Sequence, residues 1–335
     1  METFIKAISY YLPETVLTNE QLIAEFPEEN VGKVAKRVGI NIRHIAGENE
    51  CASDLAVKAA EQLFAEHSIH KSEIDFLLLC TQTPDYFMPA TACIVQDRLN
   101  LPTSCGALDV NLGCSGYVYG LSLAKGLIVS EIAKNVLLIT ADATTKQIHP
   151  RDKGNRTLFG DAATATLIST DGFAKIESFS LGTDGSGYDK LIVKRGAFRN
   201  RKRVEDDLAF DDSGNAVFPN HLYMDGPEIF NFTLENVPKL VSKTLVVNGL
   251  MKEEIDLYIF HQANKFTLDF LKNILEIDDK KFYYCISEIG NTASSTIPIA
   301  LIAAMKENVL SGNVLIAGFG VGLSWAGCIL KIKKS

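Results

Sequence analysis

Three short fragments hold residue types that together can do thioester chemistry. The first is Asp109-Val-Asn-Leu-Gly-Cys-Ser-Gly-Tyr117, with Cys114 between an apolar run and an amphipathic one. The second is Phe260-His-Gln-Ala-Asn264, and the third is Gly290-Asn-Thr-Ala-Ser294. A thiolate attacks thioesters well, and an acyl-Cys keeps the acyl group activated while its first carrier leaves. A Cys at a strand-to-helix turn has its sulfur near a helix N-terminus, where unpaired N–H groups and the dipole favour the thiolate. The tetrahedral intermediate needs N–H donors around its oxyanion. The backbone N–H of Cys114 is one candidate. The second is the N–H of Val321 in Gly318-Phe-Gly-Val-Gly322, where small residues permit close backbone approach.

Each residue alone has a plainer reading. Most cysteines in apolar chains are small buried hydrophobes. His261 could close a strand as a core histidine, and Asn291 could cap a helix. A packing Cys has no need of a Gly-Cys-Ser-Gly turn, however. His261 directly follows a short strand, and strand C-termini are where α/β sheets place ligands. Joint occurrence makes one shared Cys114, His261 and Asn291 site the better reading.

Composition narrows the class. At 335 residues the chain can form one large domain or two of ordinary size. A net charge of −8 argues against bulk attraction to nucleic acid or anionic membranes. The seven Cys are scattered without a CxxC pair, which indicates a reducing, cytoplasmic setting and neither a disulfide framework nor a metal site. The N-terminus lacks a signal-peptide pattern, and no apolar stretch reaches the roughly 20 residues of a membrane helix. Gly318–Gly322 lacks the G-x-G-x-x-G spacing of a dinucleotide fingerprint and is followed by a strand-like run, so no nicotinamide cofactor is expected.

The elements that must position the three fragments recur at nearly constant offset. Ile74–Gln82 resembles Ile255–Gln262, 181 positions on; Asn135–Thr140 resembles Asn313–Gly318, 178 on; Gly113-Cys114 lies 177 before Gly290-Asn291. Two similar halves follow, 1–172 with the Cys and 173–335 with the His and Asn. Apolar runs at Ile74–Thr81 and Asn135–Thr140 alternate with helical periodicity at Glu50–Glu66, Thr91–Asn100 and from the Cys turn to about Lys134. The second half repeats this with helices near Glu228–Asn248, Lys265–Leu275 and Ser294–Asn308. Near-continuous apolar strands between helices predict α/β sheets covered on both faces. Cys114 and Asn291 would be equivalent turns meeting near a pseudo-twofold axis. Lys194–Asn220, with Arg199-Asn-Arg-Lys-Arg203 followed by Glu205-Asp-Asp207, reads as an exposed excursion.

With these motifs assembled, the chain resembles the β-ketoacyl-[acyl-carrier-protein] synthase III family of thiolase-superfamily condensing enzymes. Arg37-Val-Gly-Ile-Asn-Ile-Arg-His-Ile-Ala46, Asp152-Lys-Gly154, Phe159-Gly-Asp-Ala-Ala163 and the Gly-rich ending with Trp325 extend the resemblance over nearly the whole length. It implies a five-layer αβαβα sandwich, a homodimer and no cofactor beyond the CoA or phosphopantetheine on the substrates. It also implies a ping-pong reaction. Cys114 takes an acyl group from an acyl-CoA or acyl-carrier protein. Malonyl-acyl-carrier protein then loses CO2 while His261 and Asn291 hold the enolate oxygen, and a 3-oxoacyl-acyl-carrier protein leaves. Phe159, Gly226 and Asn264 are carried over as substrate-binding positions, with Met88 reaching in from the partner subunit.

The chain departs from the family where CoA adenine is held. Lys33 stands where a stacking Trp is usual, and Lys153 where a stacking Arg is usual; Phe266 replaces a carrier-docking Arg. Ammonium groups bind phosphate but sandwich a base poorly. A specialised paralogue follows, with Lys33, Lys36, Arg37, Lys153 and Arg156 as a basic rim for an acidic carrier. A non-decarboxylating acyltransferase passing the acyl group to an alcohol or amine is the main rival. An enzyme resembling HMG-CoA synthase would need a Glu where Gln82 stands, and a non-catalytic partner subunit would have lost the nucleophile.

Overall fold

The computed structural model describes residues 1–27, 30–205, 209–210 and 216–333. Its principal strands are β1 (Phe4–Tyr11), β2 (Phe76–Cys80), β3 (Gly106–Val110), β4 (Val136–Asp142), β5 (Ala162–Ser169), β6 (Ala174–Thr183), β7 (Leu257–Phe260), β8 (Asn313–Gly320) and β9 (Ser324–Ile332). The helices that matter for the site are α1 (Val31–Val38), α2 (Ala52–His67), α3 (Thr91–Arg98), α4 (Gly116–Val129), α5 (Gly226–Asn248), α6 (Lys265–Ile274) and α7 (Thr296–Lys306).

The strand order is β7-β8-β9-β6-β1-β5-β4-β2-β3. It is one pattern written twice. In the first half β2 runs parallel to β3 and β4, while β5 is antiparallel to both β4 and β1. In the second, β7 is parallel to β8, and β9 is antiparallel to both β8 and β6. Phe76 pairs with Val136 and Leu257 with Val314, which reproduces the 181- and 178-residue offsets of the sequence. The place of β3 is taken in the second half by a single parallel bridge, Tyr258 to Phe282. Only the pairs Phe4–Lys175 and Ile5–Ala174 join the halves across β1 and β6.

Period-2 alternation sorts the side chains into layers. Leu77, Leu79, Leu137 and Ile139 pack against Leu55, Ala59 and Leu63 of α2 and Val95 of α3. Their neighbours Leu78, Val136 and Leu138 point the other way, into a cluster with Tyr117, Val118 and Leu121 of α4. That same cluster holds Ile297, Ala300 and Leu301 of α7 and Leu257, Ile259, Val314 and Ile316 of the other half-sheet. Leu315, Ala317 and Phe319 face outward again, onto α5 and α6. The result is helix, sheet, helix, sheet, helix, the five layers that the family resemblance implies. Because α7 lies in the middle layer it is apolar nearly all round, with Ile297 through Ile302 buried.

One detail differs from expectation and one adds to it. Helix α4 stops at Val129, short of Lys134, because Glu131 turns left-handed (φ 61°) and the N–H groups of Ile132 and Ala133 return to the carbonyl of Leu127. The excursion at Lys194–Asn220 is pinned at its base, where the Asn220 amide accepts from Val204 N at 3.0 Å and donates to Val204 O at 2.6 Å. Asp206 and Asp207 of its acidic run lie outside the described residues. Among the described residues no helix is long and apolar enough to cross a membrane.

Candidate active site

Cys114 ends the connection from β3 to α4. Gly116 N donates to Gly113 O at 2.7 Å, closing a tight turn. A Cβ on Gly116 would come within 2.3 Å of Cys80 Sγ. A Cβ on Gly320 would stand 2.8 Å from both Cβ and Sγ of Cys114. Glycine therefore lets β8 approach the sulfur with backbone alone. Burial pushes the Cys114 thiol up to about 11, against hydrogen bonds from the N–H groups of Val321 and of Cys114 itself, which favour the thiolate. The donors favour the thiolate as expected, but desolvation of a sulfur with only 7% of its residue exposed outweighs them.

His261 directly follows β7, and its N–H donates to Ala317 O at 2.7 Å. The side chain is buried, with Nδ1 2.7 Å from Thr296 Oγ1 and the ring edge-on to Phe319 at 5.8 Å. Burial takes its pKa down to about 3, so the ring is neutral at physiological pH. Asn291 is buried in the turn before α7. Its backbone is fixed on both sides, N to Leu158 O at 2.9 Å and O from Gly160 N at 3.0 Å. Gly290 before it has φ 79°, a left-handed conformation that favours glycine. Asn291 Oδ1 accepts from Ala293 N at 3.0 Å, which orients the amide and leaves Nδ2 as the donor. Nδ2 makes only a 3.4 Å contact to Ala263 O.

One cavity of about 310 Å³ brings Cys114, His261 and Asn291 together. Phe159, Gly226, Asn264 and Arg37 also line it. Asn264 spends its Oδ1 capping α6 through Thr267 N at 2.8 Å. The Arg37 guanidinium lies 3.8 Å over the ring of Phe266, which stacks on Phe230 at 5.4 Å. Lys33 and Lys153 are exposed and do not line this cavity. Arg156, the least exposed member of the expected rim, is held by Glu25 at 2.5 Å and Pro150 O at 2.8 Å. Met88 is 82% exposed and away from the cavity of its own chain.

The sequence reading missed Asp142 and Thr296. Asp142 is buried at the end of β4 and accepts from Gln82 N at 2.7 Å and Ser294 Oγ at 2.8 Å. Burial raises it to about 7. It ties the turn after β2 to the turn that carries Asn291. An acid ending the apolar run Val136–Ala141 was the available signal.

Comparison with known proteins fits this geometry. The family model for 3-oxoacyl-[acyl-carrier-protein (ACP)] synthase III matches residues 108–185, and the model for the C terminal of that family matches 245–332. The beta-ketoacyl-[acyl-carrier-protein] synthase III of Clostridium perfringens is 36% identical over 325 residues, 96% of this chain and 97% of that protein. A crystal structure of a 3-oxoacyl-(acyl-carrier-protein) synthase III superposes with a TM-score of 0.95 at 45% identity, covering 99% of this chain and 100% of that one. The 3-oxoacyl-(acyl-carrier protein) synthase of Burkholderia xenovorans gives 0.90 at 38% identity, over 99% and 94%. Fold and comparisons together define a thiolase-fold acyltransferase. Within that class the chain belongs to the 3-oxoacyl-[acyl-carrier-protein] synthase III family.

Proposed function

We propose that this chain performs the family's condensation of an acyl-CoA with malonyl-acyl-carrier protein through an acyl-Cys114 intermediate. The observation that carries the reading is the convergence of Cys114, His261 and Asn291 on one cavity. In the first half-reaction the Cys114 sulfur bonds to the acyl carbon, the bond to the CoA sulfur breaks, and the thiol proton ends on CoA. The N–H groups of Cys114 and Val321 hold the oxyanion. In the second, the carbon–carboxylate bond of the malonyl group breaks and CO2 leaves. The electron pair passes to an enolate whose oxygen is held by Asn291 Nδ2 and His261. Neutral donors stabilise that oxygen without protonating the carbanion. The carbanion attacks the acyl carbon, the bond to the Cys114 sulfur breaks, and the released thiolate takes a proton from solvent.

For His261 to offer Nε2–H, Nδ1 must accept a hydrogen bond, and the Thr296 hydroxyl is placed to give it. The Arg37–Phe266 stack at the cavity mouth stands where the pantetheine arm enters, so Phe266 supports Arg37 in place of a second basic group. Tyr86, Phe87 and Met88, all more than 60% exposed, form a run suited to burial in a homodimer, with Met88 directed to the partner's cavity.

Intact-protein mass spectrometry after incubation with acyl-CoAs tests the first half-reaction: an adduct forms on the wild type and is absent from Cys114→Ala. CO2 release from malonyl-carrier protein by the acylated enzyme tests the second. Acyl transfer to an alcohol or amine with no CO2 would establish the rival acyltransferase instead.

A further inference from the structure

Cys114 borders a second cavity, of about 320 Å³, that contains neither His261 nor Asn291. The division has a chemical consequence that rests on the function just proposed. The malonyl thioester must bring its carbonyl to His261 and Asn291, so its pantetheine arm occupies the first cavity. The acyl group already on Cys114 must lie out of its way, in the second. The walls of that second chamber therefore select the acyl group.

Those walls are mostly apolar, as at Phe159, Leu191 and Leu222, with a polar side made by Gln82, Asn111, Thr144 and Gln147, where Gln82 Nε2 lies 3.5 Å from Asn111 Oδ1. Gln147 Nε2 donates to Gln82 O at 3.1 Å, which fixes the amide and leaves Oε1 as its other end. Thr144 is more than nine-tenths buried. Among the described residues its hydroxyl and the Oε1 atoms of Gln82 and Gln147 have no hydrogen-bond partner. An alkyl chain lying here would displace water from these atoms and leave them unpaired. Amide oxygens only accept, so they call for a donor on the substrate. A hydroxyl supplies one; a keto group does not.

We infer that the acyl group this enzyme loads on Cys114 is a short chain bearing a hydroxyl, held by Gln147, Thr144 and Gln82 in the chamber opposite the malonyl site. A site built to hydrogen-bond a substrate hydroxyl discriminates strongly against the analogue that lacks it.

The test is a competition. Equimolar butyryl and 3-hydroxybutyryl thioesters, and separately butyryl and 4-hydroxybutyryl thioesters, are offered as CoA esters and as carrier-protein thioesters. Adducts on Cys114 are counted by intact mass at partial conversion. The expected result is at least about a tenfold excess of one hydroxyacyl adduct, falling towards parity in Gln147→Leu and in Thr144→Val. Two single variants guard against one that fails to fold, and the ratio is internal to each sample. Butyryl loading equal to or above both hydroxyacyl groups in the wild type overturns the inference and leaves the Cys114 reading standing. So does a wild-type preference that both variants retain. No adduct from any donor on folded protein overturns the inference together with the reading beneath it.

Discussion

The two halves place equivalent turns at the start of their central helices, and they seat them by opposite means. The Cys114 turn of the first half rests on β8 of the second, where Gly318 and Gly320 leave room: a Cβ on Gly318 would lie 2.7 Å from the Cys114 carbonyl. The Asn291 turn of the second half rests on β4 of the first, where the equivalent positions are Thr140 and Asp142. There Ser294 Oγ donates to Asp142 and Ser295 Oγ shares a 2.8 Å hydrogen bond with Thr140 Oγ1. One contact is made close by removing side chains, the other is made stiff by adding polar ones. The difference matches the chemistry proposed for each turn. A nucleophile served by backbone N–H groups needs the neighbouring backbone near it. A side-chain amide donor needs only to be aimed.

The largest effect comes from filling the gap on the glycine side. In Gly320→Ala the new methyl meets Cys114 Sγ at a distance no carbon–sulfur contact tolerates. Either the sulfur moves or β8 does, and both spoil the alignment of Val321 N–H. Acylation by an acyl-CoA is expected to fall by about 10²-fold or more, the usual cost of one oxyanion donor. Stopped-time intact mass spectrometry gives the rate. Near-normal acylation would show that the close approach of β8 is packing without catalytic meaning.

The polar side is broken more gently. Asp142 ionises only near pH 7 when folded, against 3.8 for the ordinary group. Between those values the unfolded chain has lost the proton and the folded one keeps it. The folded state then binds more protons, so stability falls as pH rises from about 4 to about 7. Asp142→Asn keeps acceptor and donor positions for Gln82 and Ser294 but cannot titrate. Its urea-unfolding stability, compared with that of the wild type across this window, should lose a decline on the order of a few kcal/mol. Parallel curves would mean that Asp142 is ionised in the folded protein throughout. Asp161, raised to about 6 by burial, sits in both proteins and cancels.

These contrasts mark what a sequence can show. The Cys, His and Asn that share the cavity, and the repeat, were legible because each is carried by local pattern: a turn between two apolar runs, a strand followed by His, offsets that hardly vary. Sheets covered on both faces followed from strands too uniformly apolar to have a wet face, and the five-layer order came from the family resemblance. The thiol's high pKa was not legible, because β8, which closes over Cys114, is far away in the chain. Nor was the exclusion of Lys33 and Lys153 from the cavity, which depends on how α1 and the short turn at Lys153 pack. The polar chamber draws Gln82, Thr144 and Gln147 from two separate connections, and only the fold brings them to Cys114.

The smallest expected effect separates aiming from contact within the second half. Thr296 is the first residue of α7 and touches His261 Nδ1, while its hydroxyl also lies 3.2 Å from Ala293 O. One hydroxyl proton serves one acceptor at a time. If it goes to His261, the imidazole proton is held on Nε2, facing the enolate. Thr296→Val keeps the volume and removes that control, and condensation should slow by about tenfold through a mixture of tautomers. Acylation of Cys114, which needs no donor from His261, should change by less than about twofold. Thr296→Ser should restore the rate, because it returns the hydroxyl and not the methyl. Measuring both half-reactions on the same variant distinguishes this from general loosening of α7, which would slow acylation and condensation alike.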